Sequence, residues 1–181
     1  MEPVEISAGT LHLRPYGPDD AAAVFAMCQD PEIQRWTQVP SPYAEEDSRT
    51  FTSEVAPNGW SNGTEAIFAV CESVGGTLLG SVGLHLDRGG DERMGEIGYL
   101  CAAEARGRGV ITQATAAVCR WGFDVLELGR IEWLAEVGNV ASRRVAEKVG
   151  FQLEGVSRAR LLHRGNRVDA WVAGLLPGEV R

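Results

Sequence analysis

Lysine is nearly absent from this chain of 181 residues: Lys148 stands alone among 17 basic residues, against 25 acidic ones. The resulting net charge of -8 excludes a general nucleic-acid binder, which needs an excess of positive side chains for phosphates. Cysteine is sparse and scattered. Cys28, Cys71, Cys101 and Cys119 form no CxxC pair, and His12, His85 and His163 are equally dispersed, so no metal site is expected and the thiols read as small buried side chains in a reducing cytosol. The longest stretch without a formal charge, Ser73 to Leu86, is 14 residues with four glycines, shorter than the roughly 18 apolar residues of a membrane span. Met1-Glu2-Pro3-Val4-Glu5 carries acids where a secretory signal carries positive charge. These absences together predict a cytoplasmic protein with no membrane and no nucleic-acid partner.

What is present is a globular composition, 44% hydrophobic and 23% charged, at a length that suits one domain spanning 1–181. Charge is divided unevenly, net -11 over residues 1–100 and net +3 over 101–181, which suggests two partners of opposite sign. Thr10 to Arg14 reads as a strand, and Pro18-Asp19-Asp20 opens a helix that Asp30-Pro31 ends. A second helix is expected near Ala44 to Val55, and Pro57 to Gly63 is dense in turn residues. Ala66 to Glu72, Thr77 to Leu86 and Met94 to Cys101 read as strands, joined at Gly75-Gly76 and through a polar turn from Asp87 to Arg93. The period then lengthens. Ile111, Ala114, Val118, Trp121, Val125 and Leu128 form one stripe of a long helix, which Gly129 ends. A strand from Arg130 to Val137, a helix from Val140 to Val149 capped by Asn139, and a strand pair, Phe151 to Leu162 with Val168 to Leu175, complete the chain. This order predicts an α/β (α+β) fold, a mixed sheet with helices packed on it.

Between a strand and the longest helix lies Glu104-Ala105-Arg106-Gly107-Arg108-Gly109-Val110-Ile111-Thr112. Two glycines permit a tight turn with backbone N–H groups facing a ligand, the helix directs its positive end at the same place, and two arginines add charge. Such a loop suits a pyrophosphate. A P-loop would require Gly-Lys-Ser/Thr, and a dinucleotide fingerprint would require glycine where Thr112 stands.

The Arg-Gly-Arg-Gly turn resembles the acyl-CoA pyrophosphate loop of the GNAT N-acetyltransferase superfamily. Gly95 to Leu100 (GEIGYL), Gly138 to Phe151 (GNVASRRVAEKVGF), Leu13 to Asp20, Asp30-Pro31 and the terminal Leu-Leu-Pro-Gly-Glu are similar to its RimJ/RimL-type branch, in order along the whole chain. The resemblance implies a mostly antiparallel sheet splayed between Met94–Cys101 and Arg130–Val137, with helices on both faces and acetyl-CoA in the opening. Its pyrophosphate would lie on the amides of Arg106, Gly107, Arg108, Gly109, Val110, Ile111 and Thr112. Its pantetheine arm would pair with the backbone near Tyr99, Leu100, Cys101 and Ala102, with Asn139 binding the arm and Ser142 beside the thioester sulfur. The implied reaction moves acetyl directly to a primary amine, on a protein N-terminus or a small molecule, without a metal. A homodimer is compatible with the resemblance.

An ammonium must lose a proton before it attacks a thioester, and the departing thiolate gains from a donor. Ser142 is the candidate acid, because the Tyr that many superfamily members carry after Gly-Phe is replaced by Gln152-Leu153-Glu154. For the base, Glu96 lies on the strand face of Met94, Gly98 and Leu100, and Glu136 lies on the neighbouring strand; where some relatives carry a carboxylate, this chain has Leu161. Trp36, Tyr43 and Trp60 are expected to wall the acceptor pocket, and the acids Glu45, Glu46 and Asp47 to attract a cationic amine. The alternatives left open are an acyl-CoA-binding sensor or scaffold without catalysis, and a nucleotide-phosphate enzyme using the same loop.

Overall fold

The computed structural model describes residues 1–86 and 93–181; the polar turn expected from Asp87 to Arg93 lies outside the described residues except at its last position. Among the described residues, eight strands form one sheet in the order β1-β2-β3-β4-β5-β6-β8-β7. They are β1 (Ile6–Ala8), β2 (Leu11–Pro15), β3 (Glu65–Glu72), β4 (Leu78–His85), β5 (Met94–Cys101), β6 (Arg130–Glu136), β7 (Gln152–His163) and β8 (Asn166–Leu175). Every neighbouring pair is antiparallel except β5 and β6, which run parallel because α5 (Val110–Asp124) crosses over between them.

The sheet buries both faces by strict alternation. On β3, Ala66, Phe68 and Val70 join the core under α5, while Ile67, Ala69 and Cys71 join a second core with Val24, Cys28, Ile33 and Tyr43. The second core is covered by α1 (Ala21–Cys28), α2 (Pro31–Trp36) and α3 (Glu45–Thr50). One buried ion pair fixes the entry to that layer: both Arg14 Nη atoms donate to the Asp20 carboxylate, at 2.8 and 2.7 Å. Burial would raise the Asp20 carboxyl, but the Arg14 fork and the Gly17 N–H outweigh it and hold it below its usual range.

Three local readings are corrected, and one short strand is added. Asp30-Pro31 ends α1 but also starts α2: Asp30 Oδ1 accepts from the Glu32 N–H at 2.8 Å, and Pro31 occupies the first turn, where its missing N–H costs nothing. Pro57 to Gly63 is mostly helix, α4 (Ala56–Asn62), continued from α3 through a wide turn at Phe51–Val55. Its turn-forming residues are overridden by Trp60, which is 1% exposed, packs edge-on against Phe68 and donates Nε1–H to the Ile67 carbonyl. The stripe on α5 stops short of Leu128: the helix ends at Asp124, Val125 is 62% exposed, and Leu128 returns to the core from the loop, its N–H on the Gly122 carbonyl. The strand β1 is too short to show alternation in the sequence. The last helix, α6 (Val140–Val149), falls where its Asn cap and Gly150 place it.

Candidate active site

The parallel ladder between β5 and β6 runs only from Met94 opposite Arg130 to Ile97 opposite Trp133. Beyond it β5 stays paired with β4 as far as Cys101, and β6 stays paired with β8 as far as Glu136. The two strands therefore part, leaving the backbone of Gly98 to Cys101 and of Leu134 to Glu136 without a partner across the opening. Backbone donors and acceptors left in this way are sites for an extended ligand.

At one end of the opening β5 runs through Ala102 into the glycine loop. Gly107 and Gly109 have φ of +74° and +78°, and a Cβ at either would meet nothing within 4 Å. Glycine is needed here for conformation rather than for room, and the absence of side chains leaves the first amides of α5 open to an anion. The two arginines are engaged elsewhere. Arg106 donates to Asp30 at 2.6 Å and to the Cys101 carbonyl, and Arg108 pairs with Glu72 at 3.3 Å. Ala102 drops out as a pairing residue, since its N–H donates to the Leu79 carbonyl and its carbonyl accepts from the Ala105 N–H.

The start of α6 covers the opening from the face shared with α5. Asn139 caps the helix, its Oδ1 accepting from the Ser142 N–H at 3.2 Å. Tyr99 donates its hydroxyl to the Ser142 carbonyl at 2.7 Å; burial pushes this phenol well above its ordinary range, so it remains a donor. Trp133 Nε1–H donates to Ser142 Oγ at 3.2 Å. A hydroxyl that accepts from an indole keeps its own proton for a further acceptor. Helix capping and a poised hydroxyl thus coexist at one turn.

The opposite face holds a different set. Trp36 lies at the mouth, its ring edge 3.6 Å from where a Gly138 Cβ would stand, beneath the Arg35 guanidinium and with its indole N–H on Glu32. Arg35 forks onto Glu136 at 2.9 and 3.1 Å, and His163 Nδ1 lies 2.8 Å from the same carboxylate. Arg35 first, then His163, holds the Glu136 carboxyl below its usual range. A carboxylate stabilised in this way is a weaker base than Glu136 was expected to be. Glu96 is half-buried on β5, in register with His85 and Glu132, within the closed part of the ladder.

Two of the three expected pocket aromatics belong to the core instead: Tyr43 is 7% exposed in the second core, its phenol beside the Cys28 thiol, and Trp60 is fully enclosed. The expected acidic attractant is also committed locally, because Asp47 accepts from the Ala44 N–H and Glu45 and Glu46 pair with Arg49. Arg35, Asp30 and His163 were not foreseen. Their partners lie 101, 76 and 27 residues away; the Asp30-Pro31 pattern marks a helix boundary, but no short-range pattern marks these long-range bonds.

A sheet parted at its one parallel pair, with a glycine loop and a helix start at the mouth, defines a GNAT-type α/β fold. The acetyltransferase (GNAT) domain family matches residues 10–152, and the chain belongs to that family. It is 41% identical over 105 residues to YdaF of Bacillus subtilis (strain 168), named as a candidate ribosomal N-acetyltransferase; the match covers 58% of this chain and 56% of YdaF. The chain thus spans about half the length of such curated relatives. Its fold is similar to that of a candidate ribosomal-protein-serine acetyltransferase from Vibrio cholerae, at TM-score 0.86 and 23% identity, covering 96% of this chain and 98% of that one. A structure titled RimL, ribosomal L7/L12 alpha-N-protein acetyltransferase in complex with coenzyme A, aligns at TM-score 0.84 and 18% identity, covering 96% and 98%.

Proposed function

We propose that the protein is an acetyl-CoA-dependent N-acetyltransferase of the RimJ/RimL type, transferring acetyl directly to a primary amine. The observation that carries this reading is the parted β5–β6 pair, whose free backbone leads directly into the glycine loop at the start of α5. The arm of acetyl-CoA would lie along Tyr99, Leu100 and Cys101, and the amides from Gly107 to Thr112 would take the pyrophosphate. Beside that loop, Arg120, Lys148 and Arg181 line a shallow depression suited to further negative charge. Ser142 would donate its hydroxyl proton to the leaving thiolate, with Trp133 holding the oxygen in place. A free N–H of β5 would bond the oxyanion that develops on the thioester carbonyl.

The relatives named for ribosomal proteins support a protein N-terminal amine as acceptor, and the net charge of -8 suits a cationic one. With the α6 face taken by the cofactor, the acceptor would enter from the Trp36 face. Assay of thiol release from acetyl-CoA against free-N-terminus peptides and small amines tests the reading; release that depends on an amine is expected. Tight CoA binding with no release on any amine would instead identify an acyl-CoA-binding protein without catalysis. Thermal stabilisation by ATP equal to that by CoA would favour the nucleotide reading.

A further inference from the structure

Deprotonation of the amine is the step for which the foreseen residues serve least well. Glu136 is neutralised by a forked arginine, and Glu96 sits in the closed part of the ladder. The group that remains is His163, the last residue of β7. Its side chain is 10% exposed, and its Nδ1 lies 2.8 Å from Glu136 Oε2. An ionised carboxylate only accepts, so Nδ1 must carry a proton, and in the neutral ring it is then Nε2 that presents a lone pair. That Nε2 is buried and has no hydrogen-bond partner among the described residues. Buried polar atoms are nearly always partnered, and an orphan is destabilising. The three-part arrangement of Arg35, Glu136 and His163 therefore ends in an acceptor atom with nothing to accept.

Resting on the N-acetyltransferase reading, we propose that His163 Nε2 is the general base that takes the proton from the acceptor ammonium. Its surroundings fit that role. Glu136 belongs to the turn that leads into the Asn139 cap, where the Asn139 N–H donates to the Glu136 carbonyl at 3.1 Å. The base is thereby built onto the segment that carries Ser142, but from the opposite face of the sheet. The chain on either side of His163 is tied to α2 and the segment that follows it: Gln38 donates to the Leu162 carbonyl, and Arg164 donates to the Gln34 and Val39 carbonyls. The charged group on the imidazole is Glu136 from β6, and Arg35 from α2 forks onto that same carboxylate.

In the step, an N–H bond of the ammonium breaks and its proton passes to Nε2, giving an imidazolium that faces Glu136. The freed amine forms the new C–N bond at the thioester carbonyl. As the C–S bond breaks, the thiolate takes the Ser142 proton, and the nitrogen's second proton returns the Ser142 hydroxyl through solvent. The imidazolium then releases its proton to bulk water, so one amide, one CoA thiol and one proton leave.

The test compares the intact protein with His163→Gln across pH, using the amine that turns over best. In the wild type, kcat/KM for an α-amine should rise through a limb distinct from the amine's own pKa of about 8. In His163→Gln, kcat should fall about 10²–10⁴-fold, the limb should move to the amine's own pKa, and KM for acetyl-CoA should stay within twofold. A His163→Gln protein with near-normal kcat and an unmoved limb would overturn the proposal. The imidazole ¹⁵N spectrum of the wild type gives a second, activity-free readout, which stands if the variant fails to fold. The neutral ring is expected to carry its proton on Nδ1, and a neutral ring with its proton on Nε2 would refute the assignment. If the wild type releases no thiol with any amine while its tautomer is as expected, the N-acetyltransferase reading fails, and the role of base falls with it.

Discussion

At the scale of single residues, Ser142 illustrates how one position can satisfy local structure and chemistry together. Its N–H completes the Asn139 cap, its carbonyl receives Tyr99, and its hydroxyl accepts from Trp133 while retaining a proton. Ser142→Ala keeps the first two bonds, so the fold and CoA affinity should be little changed while turnover falls about 10²-fold or more. Steady-state assay together with CoA titration checks this, and unaltered turnover would remove the serine from the chemistry. The Asn-x-x-Ser spacing was legible in the sequence because a cap acts over three residues. The Arg35–Glu136–His163 set was not, because its members come from three elements that only the folded sheet brings together. Burial, too, is decided by the fold: Trp36, Tyr43 and Trp60 look alike in a loop-rich sequence, yet only Trp36 reaches the mouth of the opening.

Among the secondary-structure elements, α2 connects the two sides of the site. Asp30 uses one carboxylate oxygen to cap this helix and the other to hold Arg106 of the glycine loop. Asp30→Ala should lower stability by about 1 kcal/mol through the cap alone, a fall measurable by denaturant titration. It should also free Arg106, so that acetyl-CoA affinity changes along with stability; a purely structural cap would leave that affinity alone. The strong regular elements, β3 to β6 with α5 and α6, were readable from alternation and helical period, and the glycine stop held for α6 but not for α5, which ends at Asp124. The short ones were not. In α4, turn-forming residues are held helical by the burial of a single indole, and β1 is defined only by its pairing with β2. Tertiary packing overrides local preference in both cases.

For the molecule as a whole, the ion pair between Arg14 and Asp20 joins the first long strand to the helical layer over the second core. Because the Asp20 carboxyl is held below its unfolded value, folding gains from its ionised form at all pH values above the ordinary carboxylate range near 4. That gain disappears as pH falls through the depressed folded value. Asp20→Asn should therefore cost about 2 kcal/mol at neutral pH, and the two proteins should converge in stability under acid. A stability difference that stays constant down to pH 3 would contradict this. The charge division between the halves of the chain survives in part. The positive half holds the loop and helices that suit a polyanion, but the acids Glu45, Glu46 and Asp47 serve their own helix and not the site.

The parted strands have one more consequence. Besides its outer margins at β1 and β7, the sheet has two internal edges, and unpaired edges are templates for addition of strands from other chains. Here each open stretch is short, residues 98–101 on one side and 134–136 on the other, and the start of α6 roofs it from one face. A narrow, flexible arm can thread between such edges, whereas a foreign β-strand with side chains on both faces cannot. The opening thus discriminates by thickness, and the protein can keep unpaired backbone in its centre without inviting aggregation through it.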